Sequence, residues 1–87
     1  MLRIRRSQQA GVTIFALSGR IEDGHVQELE ALLKREATEQ VVLDLEEVRL
    51  VDREAIKFLV ACEVRGIPVK NCPPHVRKWM ETRSDKL

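Results

Sequence analysis

The stretch from Gln40 to Val64, QVVLDLEEVRLVDREAIKFLVACEV, decides the fold of this chain. It begins with an apolar run of β-branched residues and leucine, which favours a strand. A charged passage follows, and Asp52 then stands directly before a segment whose apolar residues recur with helical spacing. The pattern predicts a buried strand over Gln40–Leu45, a loop, and a helix from Asp52 to about Arg65.

This helix is predicted to bury one face, formed by Ile56, Leu59, Val60 and Val64 with Phe58 and Cys62 beside them. In open α/β sheets, ligands and partners meet the carboxyl ends of strands beside helix N-termini. We therefore expect the working surface of this protein at the loop and at the first turn of the helix.

The residues upstream predict two strands and a helix. Alternation of Leu2 and Ile4 with arginines indicates a half-buried strand, and SQQAG at 7–11 predicts a polar turn. Val12–Ser18 predicts the antiparallel hairpin partner, ended by Gly19. Asp23 is the expected N-cap of a helix with a buried stripe. That stripe comprises Val26, Leu29, Leu32, Leu33 and Ala37.

Downstream, Gly66 suits the left-handed conformation that often ends a helix. A fourth strand follows over 67–70, and Pro68 indicates an edge position. Pro73 and Pro74 suit the start of a last helix, and 84–87 reads as a frayed tail. The last helix is predicted to turn Val76, Trp79 and Met80 inward.

The resulting order is β-β-α-β-α-β-α, an α/β fold. Crossovers of this length give parallel strands, and strands joined in sequence order place the helices mainly on one face. Val41, Leu43 and Leu45 share one side of their strand, whereas Asp44 points to the other. We therefore expect a singly wound, four-stranded mixed sheet covered on one face.

Length and composition limit the functional classes. With 87 residues, 44% hydrophobic and 33% charged, residues 1–87 are expected to form a single globular domain. A formal charge of +1 and three aromatic residues give no indication of nucleic-acid binding. No apolar run approaches a membrane span, so a cytoplasmic location is expected.

No cofactor or metal motif is recognisable. The two histidines, His25 and His75, match no metal spacing, and Cys62 and Cys72 form no CxxC pair. Cys62 is expected in the core. Cys72 precedes a helix start, where a thiol pKa can fall; a redox role and an inert side chain are both open.

From Asp44 to Leu59 the chain resembles a STAS domain, the fold of bacterial anti-sigma factor antagonists. The family has a strand ending in apolar-Asp-Leu, a short loop, and Asp-Ser-Ser-Gly at the start of a helix. VTIFALSGR at 12–20 is similar to the family's opening motif, and IPVKNCPPHVRKWM at 67–80 to its fourth strand and next helix. The resemblance covers roughly 2–80 and implies a STAS-like protein-binding module.

Two departures from the family pattern matter. Asp52 aligns with the family aspartate, but Arg53 and Glu54 stand at the family serine positions, one of which is phosphorylated in switchable members. That phosphorylation switch is therefore not expected here. Relative to typical members, the domain is also expected to be truncated at its C-terminus.

The resemblance implies a partner-binding surface comprising Asp44, Arg49, Asp52, Arg53, Glu54 and Lys57. Asp44 and Asp52 could also form an acid/base pair, but no nucleophile, glycine-rich loop or metal motif accompanies them, so we expect no enzyme activity. Asp44 is equally a loop-bonding group at a strand end. Glu54 either favours the helix start by its charge or mimics a phosphate.

Three functional hypotheses follow. The first is binding of an anti-sigma factor or kinase-type switch protein in a bacterial cytoplasm, which sequesters it from a sigma factor. The second, also implied by the family, is a regulatory subunit on the ATPase of a transporter. The third is a sensor of an anionic ligand at the helix start, disfavoured by Glu54. A homodimer is among the candidate assemblies.

Overall fold

The computed structural model describes residues 2–35 and 40–84. Its elements run in the expected order, and the expected α/β fold with a four-stranded mixed sheet is confirmed. The elements are β1 (Leu2–Gln9), β2 (Val12–Ile21), α1 (Asp23–Arg35), β3 (Gln40–Val51), α2 (Arg53–Val64), β4 (Val69–Lys70) and α3 (Pro74–Ser84).

The sheet has the strand order β1-β2-β3-β4. β1 pairs antiparallel with β2, while β2–β3 and β3–β4 are parallel, as predicted. β4 is an edge strand, which agrees with the position of Pro68 immediately before it.

The helices cover one face of the sheet. Phe15 and Leu43, on neighbouring strands, expose 2% and none of their surface, whereas the adjacent Ile14 and Val42 are only half-buried. This alternation means that the apolar core lies between the sheet and the helices, and that the opposite face is open.

α2 lies at the centre of the helical layer and contacts both α1 and α3. Its buried side chains are Ala55, Ile56, Phe58, Leu59 and Cys62. Two predicted core residues are wrong: Val64 is 78% exposed and Trp79 is 39% exposed. The last buried residue of α2 is Cys62, two residues before Val64. Among the α3 residues whose burial is described, Val76 and Met80 alone are buried, so α3 packs through one narrow stripe.

The first hairpin differs from its prediction in the lengths of its strands. β1 continues to Gln9 instead of turning at Ser7, and the turn is only Ala10–Gly11, with φ of 50° and 80°. Two consecutive positive φ values match a type I′ turn, whose twist suits a tight hairpin. The polar residues before the turn are therefore strand residues of an exposed edge.

The largest difference from the sequence prediction is β3, which runs to Val51 rather than ending at Leu45. β2 likewise continues through Gly19, which adopts a φ of 91°, to Ile21. The pairing shifts twice, between Ala16 and Ser18 and again between Gly19 and Arg20, so twelve residues of β3 accompany ten of β2. Each bulge interrupts the alternation of buried and exposed side chains, so the period-two pattern of the sequence does not reveal the extension of the strands.

α1 begins at Asp23, so the predicted N-cap role of Asp23 is wrong and Glu22 precedes the helix. The backbone N–H of Glu22 donates to His25 Nδ1 at 3.2 Å, while the His25 N–H donates to the Glu22 carbonyl at 2.9 Å. The buried stripe of α1 is confirmed at Leu29 and Leu33. Ala37 and the tail beyond Ser84 lie outside the described residues.

α2 ends in the predicted glycine-dependent motif. Gly66 has a φ of 88°, its N–H donates to the Glu63 carbonyl at 3.0 Å, and the Ile67 N–H donates to the Cys62 carbonyl at 2.9 Å. This is the Schellman arrangement, which satisfies two of the last carbonyls of a helix.

Replacing Gly66 by alanine is expected to destabilise the protein by about 1 kcal/mol, because a Cβ is strained at positive φ although no atom lies within 4 Å of it. Gly24→Ala is the matched control: it is equally open, lies in α1 and has no positive φ. It should stabilise by about 0.5–1 kcal/mol. Urea unfolding of both variants tests the assignment, and equal effects would contradict it.

Candidate functional site

The start of α2 is fixed by Asp52. Its Oδ1 accepts a hydrogen bond from the Ala55 N–H at 2.8 Å, and its backbone is extended, as an N-cap requires. Its own N–H donates to the Ile21 carbonyl at 3.2 Å. Asp52 therefore joins the end of β2 to the first turn of α2, and the predicted cap is confirmed.

The first turn of α2 exposes three charged side chains, those of Arg53, Glu54 and Lys57. Lys57 Nζ lies 3.5 Å from Glu54 Oε1, in an ion pair that is half exposed on both sides. Within residues 2–35 and 40–84, the Arg53 side chain has no hydrogen-bond or ion-pair partner. Its guanidinium is thus available to a second molecule.

The end of β3 adds two exposed residues to this region. Arg49 is exposed, and its carbonyl lies 3.1 Å from Nε2 of His75, which brings the start of α3 to the same rim. Leu50 is 53% exposed although it is a large apolar residue. The sequence analysis did not assign Leu50 to the site. The signal that could have identified it is a leucine within a largely charged passage, whose side chain the sheet cannot cover.

We call this region the helix-start surface; it comprises Arg49, Leu50, Asp52, Arg53, Glu54 and Lys57. It combines three cations and one partly exposed apolar side chain with one exposed acid, Glu54, which is paired with Lys57. The carboxylate of Asp52 is engaged as the cap. Such a surface matches an acidic partner surface with an apolar spot.

Asp44 does not belong to this surface. The extension of β3 leaves it in the middle of the strand, paired with Ala16 and Lys70 and about 20 Å from the strand end. Asp44 Oδ1 accepts hydrogen bonds from the Glu46 N–H at 3.0 Å and from Asn71 Nδ2 at 3.2 Å. It acts as a loop-bonding group, and the pairing of Asp44 with Asp52 is not formed.

The cysteines are poorly ionised rather than activated. Burial raises the pKa of the Cys62 thiol from 9.0 to about 12. Burial also raises the pKa of Cys72, and this effect exceeds the lowering of the pKa by Arg77. The lowered pKa that the position of Cys72 before a helix suggests is therefore wrong. Cys62 is fully buried, as predicted for a core residue.

The described residues hold no group of three or more metal-ligating side chains. Among these same residues, no helix has the length and apolar character needed to span a membrane.

Comparison with known proteins shows the fold. No protein-family model and no curated protein sequence matches this chain. The structure of the anti-sigma factor antagonist SpoIIAA in its unphosphorylated form matches with a TM-score of 0.68 at 12% identity, over 91% of this chain and 82% of that one.

A protein of the DUF3478 family with a SpoIIAA-like fold, from Shewanella loihica PV-4, matches with a TM-score of 0.59 at 10% identity. That alignment covers 97% of this chain and 76% of the other. The chain therefore has the STAS-like fold of SpoIIAA, in agreement with the resemblance of its sequence. At these identities the likeness concerns the fold alone.

Removing the cap with Asp52→Ala should lower the free energy of unfolding by about 1 kcal/mol, because the Ala55 N–H loses its acceptor. Asp52→Asn retains a capping oxygen and should lose only a few tenths of that value. Urea unfolding of the two variants gives the comparison, and an equal loss in both would show that the cap is not the stabilising element.

Thiol reactivity should follow burial. In Cys72→Ser the remaining Cys62 is expected to resist a disulfide reagent at about pH 8 until urea unfolds the chain, because its pKa is near 12. In the wild-type protein Cys72 should react first but more slowly than a free thiol, because its pKa is raised. Reaction of Cys72 faster than a free thiol would contradict this assignment.

Proposed function

We propose that this chain is a non-catalytic regulatory module that binds another protein through the helix-start surface. The observation that carries the proposal is the unpaired, exposed Arg53 on the first turn of a rigidly capped helix. A capped helix start presents its side chains with little conformational freedom, and this lowers the entropic cost of binding.

The fold supports a regulatory role, since the SpoIIAA structure that it resembles is that of an anti-sigma factor antagonist. By analogy, the partner of this chain is an anti-sigma factor or a kinase-type switch protein in the cytoplasm of a bacterium. Binding acts by competition: a partner held here is unavailable to its sigma factor.

Regulation cannot proceed by phosphorylation of a serine at the start of α2, because Arg53 and Glu54 occupy those positions. The Glu54 carboxylate lies against Lys57, so its negative charge is partly offset within the helix. Under this proposal, the amounts of the two proteins control association without phosphorylation at these two positions.

Binding of an anionic small molecule at the same place is less compatible with the geometry. The Ala55 N–H, one of the donors that an anion would use, is already bonded to Asp52. Glu54 adds a negative charge to the same turn. A protein surface that contacts the side chains outside the helix does not need those donors.

The decisive experiment is affinity purification of the tagged wild-type chain from its native cell, with the co-purified proteins quantified by mass spectrometry. Arg53→Glu should reduce recovery of the specific partner at least about tenfold, because like charges would face each other. Lys34→Glu is the matched control: this exposed cation at the last turn of α1 should leave recovery unchanged.

The identity of the protein recovered distinguishes the two family roles. An anti-sigma factor or histidine-kinase-like ATPase supports the sequestration mechanism, and the ATPase of a transporter supports a regulatory subunit instead. Recovery of a partner that is indifferent to Arg53→Glu would refute the proposed surface, and recovery of none would refute the binding function.

A further inference from the structure

The face of the sheet opposite the helices carries an ordered pattern of charge. Residues that pair across an antiparallel or parallel ladder point to the same face. Arg3, Ser18 and Glu47 therefore form one row across β1, β2 and β3. Arg5, Ala16 and Asp44 form the next row.

Both rows have a cation on β1, a small residue on β2 and an acid on β3. The result is a trough with a volume of about 830 Å³ along β2, with Ala16 and Ser18 on its floor. Arg3 and Arg5 make β1 its basic wall, and Glu47 makes β3 its acidic wall. In the part of the chain that the structure describes, the side chains of Arg3, Arg5 and Glu47 make no ion pair or hydrogen bond.

Beyond the charged rows, the middle of the same face is apolar, and it is flanked by the polar residues Ser7 and Gln9 of β1 and Gln40 of β3. Ile14 pairs with Val42, and both are half-buried, as is Val12 near the start of β2. This apolar patch continues the floor of the trough, and no helix covers it. A strip of small and apolar residues bounded by opposite charges is the composition of an interface.

We propose that a second copy of this chain covers this open face, with a two-fold axis parallel to β2. Rotation about that axis places β1 of each copy over β3 of the other, at the same height along the strands. Arg3 then faces Glu47 of the second copy, and Arg5 faces Asp44 of the second copy. Ala16 and Ser18 lie at the centre, where their small side chains let the sheets approach.

The charge pattern selects this occupant and this orientation. A uniformly acidic or basic partner would meet like charge on one wall of the trough, whereas a second copy brings the complementary pattern. A two-fold axis across the strands would place β1 over β1 and bring arginines together.

Lys70 of β4 pairs with Asp44 and falls outside the footprint of the opposing β1. The proposed dimer leaves the first turn of α2 free, because α2 lies on the helical side of the sheet.

Sedimentation equilibrium of the full chain tests the dimer. The charges of Arg3 and Glu47 are changed rather than those of Arg5 and Asp44, because Asp44 also accepts hydrogen bonds from Glu46 and Asn71. Arg3→Glu places an acid at both ends of the row through Ser18, and Glu47→Arg places a cation at both ends of that row. Each variant alone should dimerise about 10- to 100-fold more weakly than the wild type, since two attractive pairs become repulsive. An equimolar mixture of the two variants should regain dimer, because the acidic row of one variant then faces the basic row of the other.

Four further results complete the test. Far-UV circular dichroism must show both variants folded, and recovery in the mixture demonstrates this independently. Lys78→Glu, an exposed cation on α3, should leave the dimer unchanged. A wild-type chain that stays monomeric at about 1 mM overturns the proposal, as does a dimer that neither variant weakens. Loss of partner binding in Arg53→Glu with an intact dimer would separate the two surfaces.

Discussion

The parallel pairing of β2 with β3, carried past two bulges, is the constraint on which the rest of this structure depends. It keeps Phe15, Leu43 and their neighbours on one buried face and carries β3 on to Val51. Asp52 then follows at the rim of the sheet, where its N–H reaches the end of β2 and its carboxylate begins α2. Without the extension, the first turn of α2 would not stand beside Arg49 and Leu50.

Covering the sheet on one face separates two surfaces of different character. The helix-start surface is a compact set of exposed side chains on a capped helix, suited to a partner with complementary charge. The open face is broad, apolar along part of β2 and charged in opposite senses on its two sides. The proposed partner binding and the proposed dimer are therefore compatible, because α2 and the open face lie on opposite sides of the sheet.

Sequence reasoning succeeded where one local signal dominated. The β-branched runs, the N-cap at Asp52, the glycine at the end of α2 and the edge proline each have a local physical cause, and all are present. It failed where contacts with another element determine the length of a strand or the exposure of a side chain. The extension of β3 needs β2 beside it, and the exposure of Val64 and Trp79 depends on where the helices stop contacting one another. Asp44 was placed at a strand end only because the extension was missed. The role of Arg53 and its neighbours stays a prediction.

Hydrogen exchange of the backbone amides, followed by NMR residue by residue, tests the central constraint most directly. If β3 continues to Val51, a subset of the amides between 46 and 51, and that of Asp52, should exchange slowly, as should the amides over 41–45. Protection should be interrupted only at the two shifts of register. Rapid exchange of every amide from 46 to 52 would show a loop instead of a bulged strand, and would contradict this account of how the start of α2 is held.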